Sequence, residues 1–211
     1  MLVIVDGISG ELGDGTQVAH GDLVSKPNWG EYFVGQATEP LNIPKDRLVI
    51  SPHTYGSSVF FKSQFMDPAQ PECAGLDGDN AGRADYNIVF DVPDLRAEWD
   101  EHFGYLKDQN FAMIVGEFGD NIDWLSGARL AEQQMWSHIT PAIDRVWQNH
   151  LVDYMVDKGI DGCYWSINPE SGGTGGWYEH LYDPVSNTAG WGTWLDFDAR
   201  KTTWLKRLWS L

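Results

Sequence analysis

The sequence predicts an α/β fold in which short parallel strands, covered on both faces, alternate with helices. Continuous apolar runs of strand length recur at Leu2–Val5, Leu48–Ile50, Ala112–Val115 and Ile160–Trp165, with helix-like segments between them. Unbroken apolar runs suit strands of a parallel sheet, since an exposed face would impose alternation. The polar residues give a further observation. Each cluster of chemically capable side chains follows directly on an apolar run, at the C-terminal end of a strand, where parallel α/β enzymes gather their sites.

Taken in order, the first run opens the chain as Met1-Leu2-Val3-Ile4-Val5-Asp6, a strand pattern with no signal peptide before it. A chain that starts inside a strand reads as a truncation or an internal start. The second strand is Leu48–Ile50. The segment 93–109, with Leu95, Trp99, Phe103 and Leu106, predicts a helix leading into the third strand, which runs from Ala112 to Gly116. A long helical stretch over 128–158 carries Pro141, which predicts a break near Thr140 and a fresh start at the proline. The fourth strand follows at 160–165, and a last helix covers about 198–210. Strand, loop, helix and strand in repetition amount to four βα-type strands in one domain spanning 1–211, without linker or repeat. In the polar loop 64–86, Asp77-Gly78-Asp79-Asn80 starts like a calcium loop, but Ala81 and Ile88 stand where ligands are needed, so a solvated turn is expected.

Composition narrows the function. A length of 211 residues with 42% apolar content supports one domain with a real core. No apolar run is long enough to span a bilayer. The net charge of -17 argues against nucleic acid and anionic membrane surfaces, and is compatible with a neutral polysaccharide. Eleven tryptophans serve either a Trp-rich core or flat platforms for sugar rings, and composition does not choose between them. Cys73 and Cys163 are too few for a disulfide framework and read as buried free thiols, with a single bridge as the alternative. There is no metal-ligand spacing, and neither metal nor cofactor is expected.

Three strand ends carry the chemistry: Ser51-Pro52-His53-Thr54-Tyr55-Gly56, Gly116-Glu117-Phe118-Gly119, and Tyr164-Trp165-Ser166-Ile167-Asn168-Pro169-Glu170-Ser171-Gly172. Glu117 sits directly after a buried strand between two glycines, where backbone must come close to something. Buried glutamates are rare unless paired or functional. By itself the motif divides evenly between a catalytic carboxylate and a structural ion pair. His53 and Tyr55, two apart on one strand, point to the same side and can orient a carboxylate, although each taken alone reads first as a satisfied core histidine and an ordinary aromatic. Trp165 adds an aromatic platform at the next strand end.

Together these segments resemble glycoside hydrolase family 5, in the β-1,4-glucanase (cellulase) branch. Trp29-Gly30 and the segment Trp99…His102-Phe103-Gly104-Tyr105 agree with that branch. The resemblance implies a (β/α) barrel family fold, here a half-barrel of about four parallel strands (strands five to eight) with covering helices. It implies a retaining hydrolase in which Glu117 is the nucleophile. His53 and Tyr55 would position it and bind sugar, Trp165 would stack beneath the ring at the cleavage point, and Trp29 would be a further platform. The substrate would be cellulose or a related β-glucan, and the family is expected to be secreted. The family's proton donor is a Glu following an Asn in the first half of the barrel, and no Asn-Glu pair occurs here. The Glu117 of a second copy facing across a closed barrel and Asp6, at the end of the first strand, are substitute candidates. The alternatives are a glucan-binding half-barrel without turnover, or an inactive fragment. Half a barrel leaves open edges, so a homo-oligomer that closes it is expected.

Overall fold

The structure is a computed structural model that describes residues 1–8, 27–59, 92–124, 134, 137, 143–169, 171, 173–180 and 194–210. The calcium-like turn at 77–80, Cys73, the break at Thr140–Pro141, Glu170 and Gly172 lie outside the described residues.

Five parallel segments form the sheet: β1 (Val3–Val5), β2 (Leu48–Ile50), β3 (His53–Tyr55), β4 (Ala112–Gly119) and β5 (Asp161–Tyr164). β2 pairs with β1 on one side and β4 on the other, and β3 and β5 both pair with β4. β2 and β3 are two pieces of one strand interrupted at Ser51-Pro52, because proline cannot donate to the ladder. The four predicted strands are therefore present, in sequential order and all parallel.

The helices cover one face. α1 (Val92–Trp99) runs through a π-helical turn at Asp100–Gly104 into α2 (Tyr105–Asp108), so the predicted 93–109 helix is one rod with a wide turn. Leu95, Trp99, Phe103 and Leu106 are buried along it at helical spacing. α3 (Ile143–Lys158) buries Trp147, Leu151, Tyr154 and Met155. It ends where Gly159 takes a φ of 63°; Gly159 N–H donates to Val156 O and Ile160 N–H to Met155 O, which is a Schellman stop. α4 (Ala199–Leu208) starts on Asp198, whose side chain accepts from the backbone N–H of Arg200. These helices pack on Leu48, Ile50, Met113, Val115 and Phe118 of the sheet to form the core.

Three features depart from the sequence reading, the first being that the helices cover one face of the sheet rather than both and leave Leu2 and Ile4 exposed. An antiparallel hairpin of β6 (Tyr178–His180) and β7 (Trp194–Phe197) lies between β5 and α4, where no strand was expected. Cys163 is exposed rather than buried. The alternation of β5 explains this: Gly162 faces Phe118 and Met155 of the core, which turns Cys163 to the opposite side. Of the tryptophans, Trp99, Trp124 and Trp147 are buried, whereas Trp29, Trp165 and Trp194 are exposed, so a Trp-rich core does not account for all of them.

Candidate functional site

A bulge in β4 determines which way Glu117 faces. Ile50 pairs with Met113 and His53 with Glu117, so three steps on one strand match four on the other. Across the opposite edge, Val115 pairs with Gly162 and Phe118 with Tyr164, again with one extra residue in β4. Met113 and Val115 are buried on the helix side, and strict alternation would put Glu117 with them. The extra residue restores Phe118 to the core and turns Glu117 to the open side, with its side chain 28% exposed.

The neighbouring strand end meets it there. Tyr55 Oη donates a hydrogen bond to Glu117 Oε2, and His53 Nδ1 lies 3.6 Å from the same oxygen. His53 Nε2 faces Asp6 Oδ1 at 3.5 Å, so the imidazole stands between the two carboxylates. Burial, followed by the hydrogen bond to Glu117 and its charge, pushes the Tyr55 phenol well above its ordinary range. Tyr55 therefore stays protonated and remains a donor. The arrangement holds one oxygen of a carboxylate while leaving the group partly open to solvent, as a nucleophile or a charge stabiliser requires.

The glycines around Glu117 permit close approach. A Cβ on Gly116 would lie 2.2 Å from Ser51 Oγ and 3.1 Å from His53 Nε2. One on Gly119 would lie 2.5 Å from Trp165 O. The backbone N–H of Trp165 donates to Phe118 O at 2.7 Å, which sets Trp165 beside the Glu117 strand end with the residue 47% exposed. The peptide bond between Trp165 and Ser166 is cis.

Trp29 is 76% exposed on a segment bound to the same strand end. Gly30 O accepts from the backbone N–H groups of His53 and Gly7, and Asn28 Nδ2 donates to Tyr55 O at 3.3 Å. Beneath them Glu31 is buried, with Oε1 2.9 Å from His102 Nδ1 and Oε2 accepting from Asn28 N–H at 2.7 Å. Asn28, Glu31 and His102 escaped the sequence reading as an anchoring set.

A second buried layer supports the strand ends. Asp144 of α3 accepts from Ser57 Oγ and from Ser58 N–H, and burial pushes its carboxyl up to about 6. Asp120, directly after β4, is fully buried and also raised, first by burial and then by the Asp144 charge. Lys201 of α4 reaches into this layer, donating to Thr174 O at 2.9 Å and to Gly176 O, and lies 5.3 Å over the Tyr164 ring. Thus α4 holds the loop that follows Trp165.

The comparisons with known proteins identify the family. Residues 2–171 match the family model described as cellulase (glycosyl hydrolase family 5). The chain is 50% identical over its whole length to Endoglucanase C of Cellvibrio japonicus, and covers 29% of that protein. It is 35% identical over 70% of its length to the major extracellular endoglucanase of Xanthomonas campestris pv. campestris, covering 23% of it. The solved catalytic domain of the major endoglucanase from X. campestris superimposes with a TM-score of 0.64 at 31% identity, covering 100% of this chain and 45% of that one. A cellotetraose complex of an endocellulase from Pyrococcus horikoshii gives a TM-score of 0.65 at 26% identity, over 99% and 43% of the two chains. The chain thus spans less than a third of these curated relatives and under half of these solved structures.

Proposed function

The chain belongs to glycosyl hydrolase family 5, and from that membership we propose that it carries the nucleophile side of a retaining β-1,4-glucanase site. The observation that carries the reading is the convergence on Glu117 of Tyr55 and His53, at the end of a parallel strand beside the exposed indole of Trp165. The endoglucanase names of the relatives support a β-glucan such as cellulose as the substrate.

In this scheme Glu117 attacks the anomeric carbon through the oxygen that Tyr55 leaves free, and the glycosidic bond breaks as an ester forms. A general acid gives its proton to the departing oxygen. Water then cleaves the ester and restores Glu117. Tyr55 fixes the carboxylate, and His53 lines the same edge and contacts the sugar. Trp165 stacks beneath the ring at the bond to be broken, and Trp29 supports a neighbouring ring. Retaining chemistry places the two carboxyls about 5–5.5 Å apart.

Asp6 contacts the far nitrogen of His53, which puts an imidazole between it and Glu117. That placement favours a second reading, a glucan-binding half-barrel that binds sugar without turnover until a proton donor is supplied. The whole of 1–211 would serve as one portion of a barrel, and a homo-oligomer would close its open edges. Secretion of the intact protein accords with the Xanthomonas relative being named extracellular.

Incubation of the purified chain with soluble carboxymethyl-cellulose tests the reading. New reducing ends that disappear in Glu117→Gln support the hydrolase, whereas retention of glucan without product supports the binding half-barrel. Neither turnover nor retention would refute both.

A further inference from the structure

The β6–β7 hairpin carries a ladder of aromatic rings that the catalytic reading does not use. Trp177 is its inner rung: its ring lies 5.6 Å from Trp209, and its Nε1 donates to Thr202 Oγ1 at 2.9 Å. Phe197 tilts over Trp177 at 4.3 Å, Tyr178 over Phe197 at 4.1 Å, and Trp194 over Tyr178 at 5.5 Å. The outer rungs reach solvent, with Trp194 45% and Phe197 41% exposed. A chain with a core for its aromatics elsewhere leaves these rings in water, held at fixed tilts by their neighbours. Contiguous exposed apolar surface of this kind marks a binding face.

Its position indicates the ligand. The backbone N–H of Trp177 donates to Ser166 O and that of Tyr178 to Ile167 O, so β6 is joined to the residues that follow Trp165. Ile167 is itself exposed between them. The hairpin therefore continues the surface that starts at the proposed sugar platform. Exposed Glu179 and Asp196 lie on the same two strands, and their charge is unsuited to an anionic partner. The flat outer face of Trp194 complements a neutral polysaccharide, whose ring faces are apolar.

We propose that Trp194, backed by Tyr178 and Phe197, presents its outer face as a distal glucan platform, which holds the portion of a β-1,4-glucan chain that extends beyond the Trp165 position. The inference rests on the proposed function, since it takes the same ligand as the Trp165 site. Short and long ligands separate the two. A glucan confined to the Trp165 position does not reach the hairpin, whereas a polymer does.

Retardation in native gels containing hydroxyethyl cellulose, together with calorimetric titration of cellotriose, reads both. Trp194→Ala is expected to weaken polymer binding about ten-fold and leave cellotriose affinity unchanged, while Trp194→Tyr, which keeps a ring, retains most of the polymer affinity. Trp165→Ala is expected to weaken both ligands. Equal polymer affinity in wild type and in a folded Trp194→Ala overturns the platform and leaves the Trp165 site standing. A changed oligomeric mass in Trp194→Ala with unaltered glucan affinity makes the face a subunit contact and also overturns it. Absence of glucan binding in the wild type removes the site and the platform together.

Discussion

Glu117 faces the open side of the sheet because β4 carries one more residue than its neighbours, and the surrounding side chains then act on a single oxygen. Tyr55 donates to Oε2, and His53 approaches the same atom. Trp165 stands at the adjoining strand end, fixed through its own N–H. Loss of an aromatic face in contact with a sugar ring costs about 1–3 kcal/mol. Trp165→Ala should therefore weaken cellotetraose binding roughly ten-fold or more by calorimetry, with an unchanged unfolding transition. That Glu117, His53, Tyr55 and Trp165 come together was legible in the sequence because each follows an apolar run at a strand end. The bulge was not legible, since an extra residue within Gly116-Glu117-Phe118 looks the same in sequence as regular alternation. The buried Glu31–His102 pair was equally hidden, because its members are distant in the chain and meet only through the fold.

At the scale of elements, the strands and helices were readable from the length and periodicity of their apolar runs. The β6–β7 hairpin was not, because β6 has three residues and follows a glycine-rich stretch with no alternation to detect. The helices also bring titratable groups beneath the site. α3 presents Asp144 to the loop after β3, with its carboxyl raised from 3.8 to about 6 chiefly by burial, against the hydrogen bonds from Ser57 and Ser58. Between these two values the folded chain keeps a proton that the unfolded chain has released. Stability from this group is therefore fully present below about pH 4, falls as the pH rises to about 6, and is level above, for a total on the order of 3 kcal/mol. Asp144→Asn cannot ionise, so denaturant melts of that variant should lose this portion of the acid-side slope. A slope identical to wild type would remove Asp144 as its source.

For the whole molecule, the sheet is an open half of a barrel. Among the described residues β1 pairs only with β2 and β5 only with β4, and Leu2 and Ile4 of the first run are exposed. Unpaired parallel edges with apolar side chains are templates for association. A two-fold dimer that pairs the edges is the simplest closure, and the repulsion of its doubled negative charge is screened over about 8–10 Å at ordinary salt. Light scattering at micromolar concentration should give the mass of a dimer or larger assembly. A strictly monomeric mass would contradict closure by self-association.

The proposed role of Glu117 as nucleophile does not depend on whether this chain supplies an acid. A 2-deoxy-2-fluoro-cellobioside with a dinitrophenolate leaving group tests it directly. Its leaving group departs without a proton, and the fluorine slows hydrolysis of the ester that forms. Intact-mass spectrometry after incubation should show one added fluorocellobiosyl group per chain, located by peptide mapping on Glu117 and absent from Glu117→Gln. A chain that stays unlabelled, or is labelled at another residue, would contradict the account.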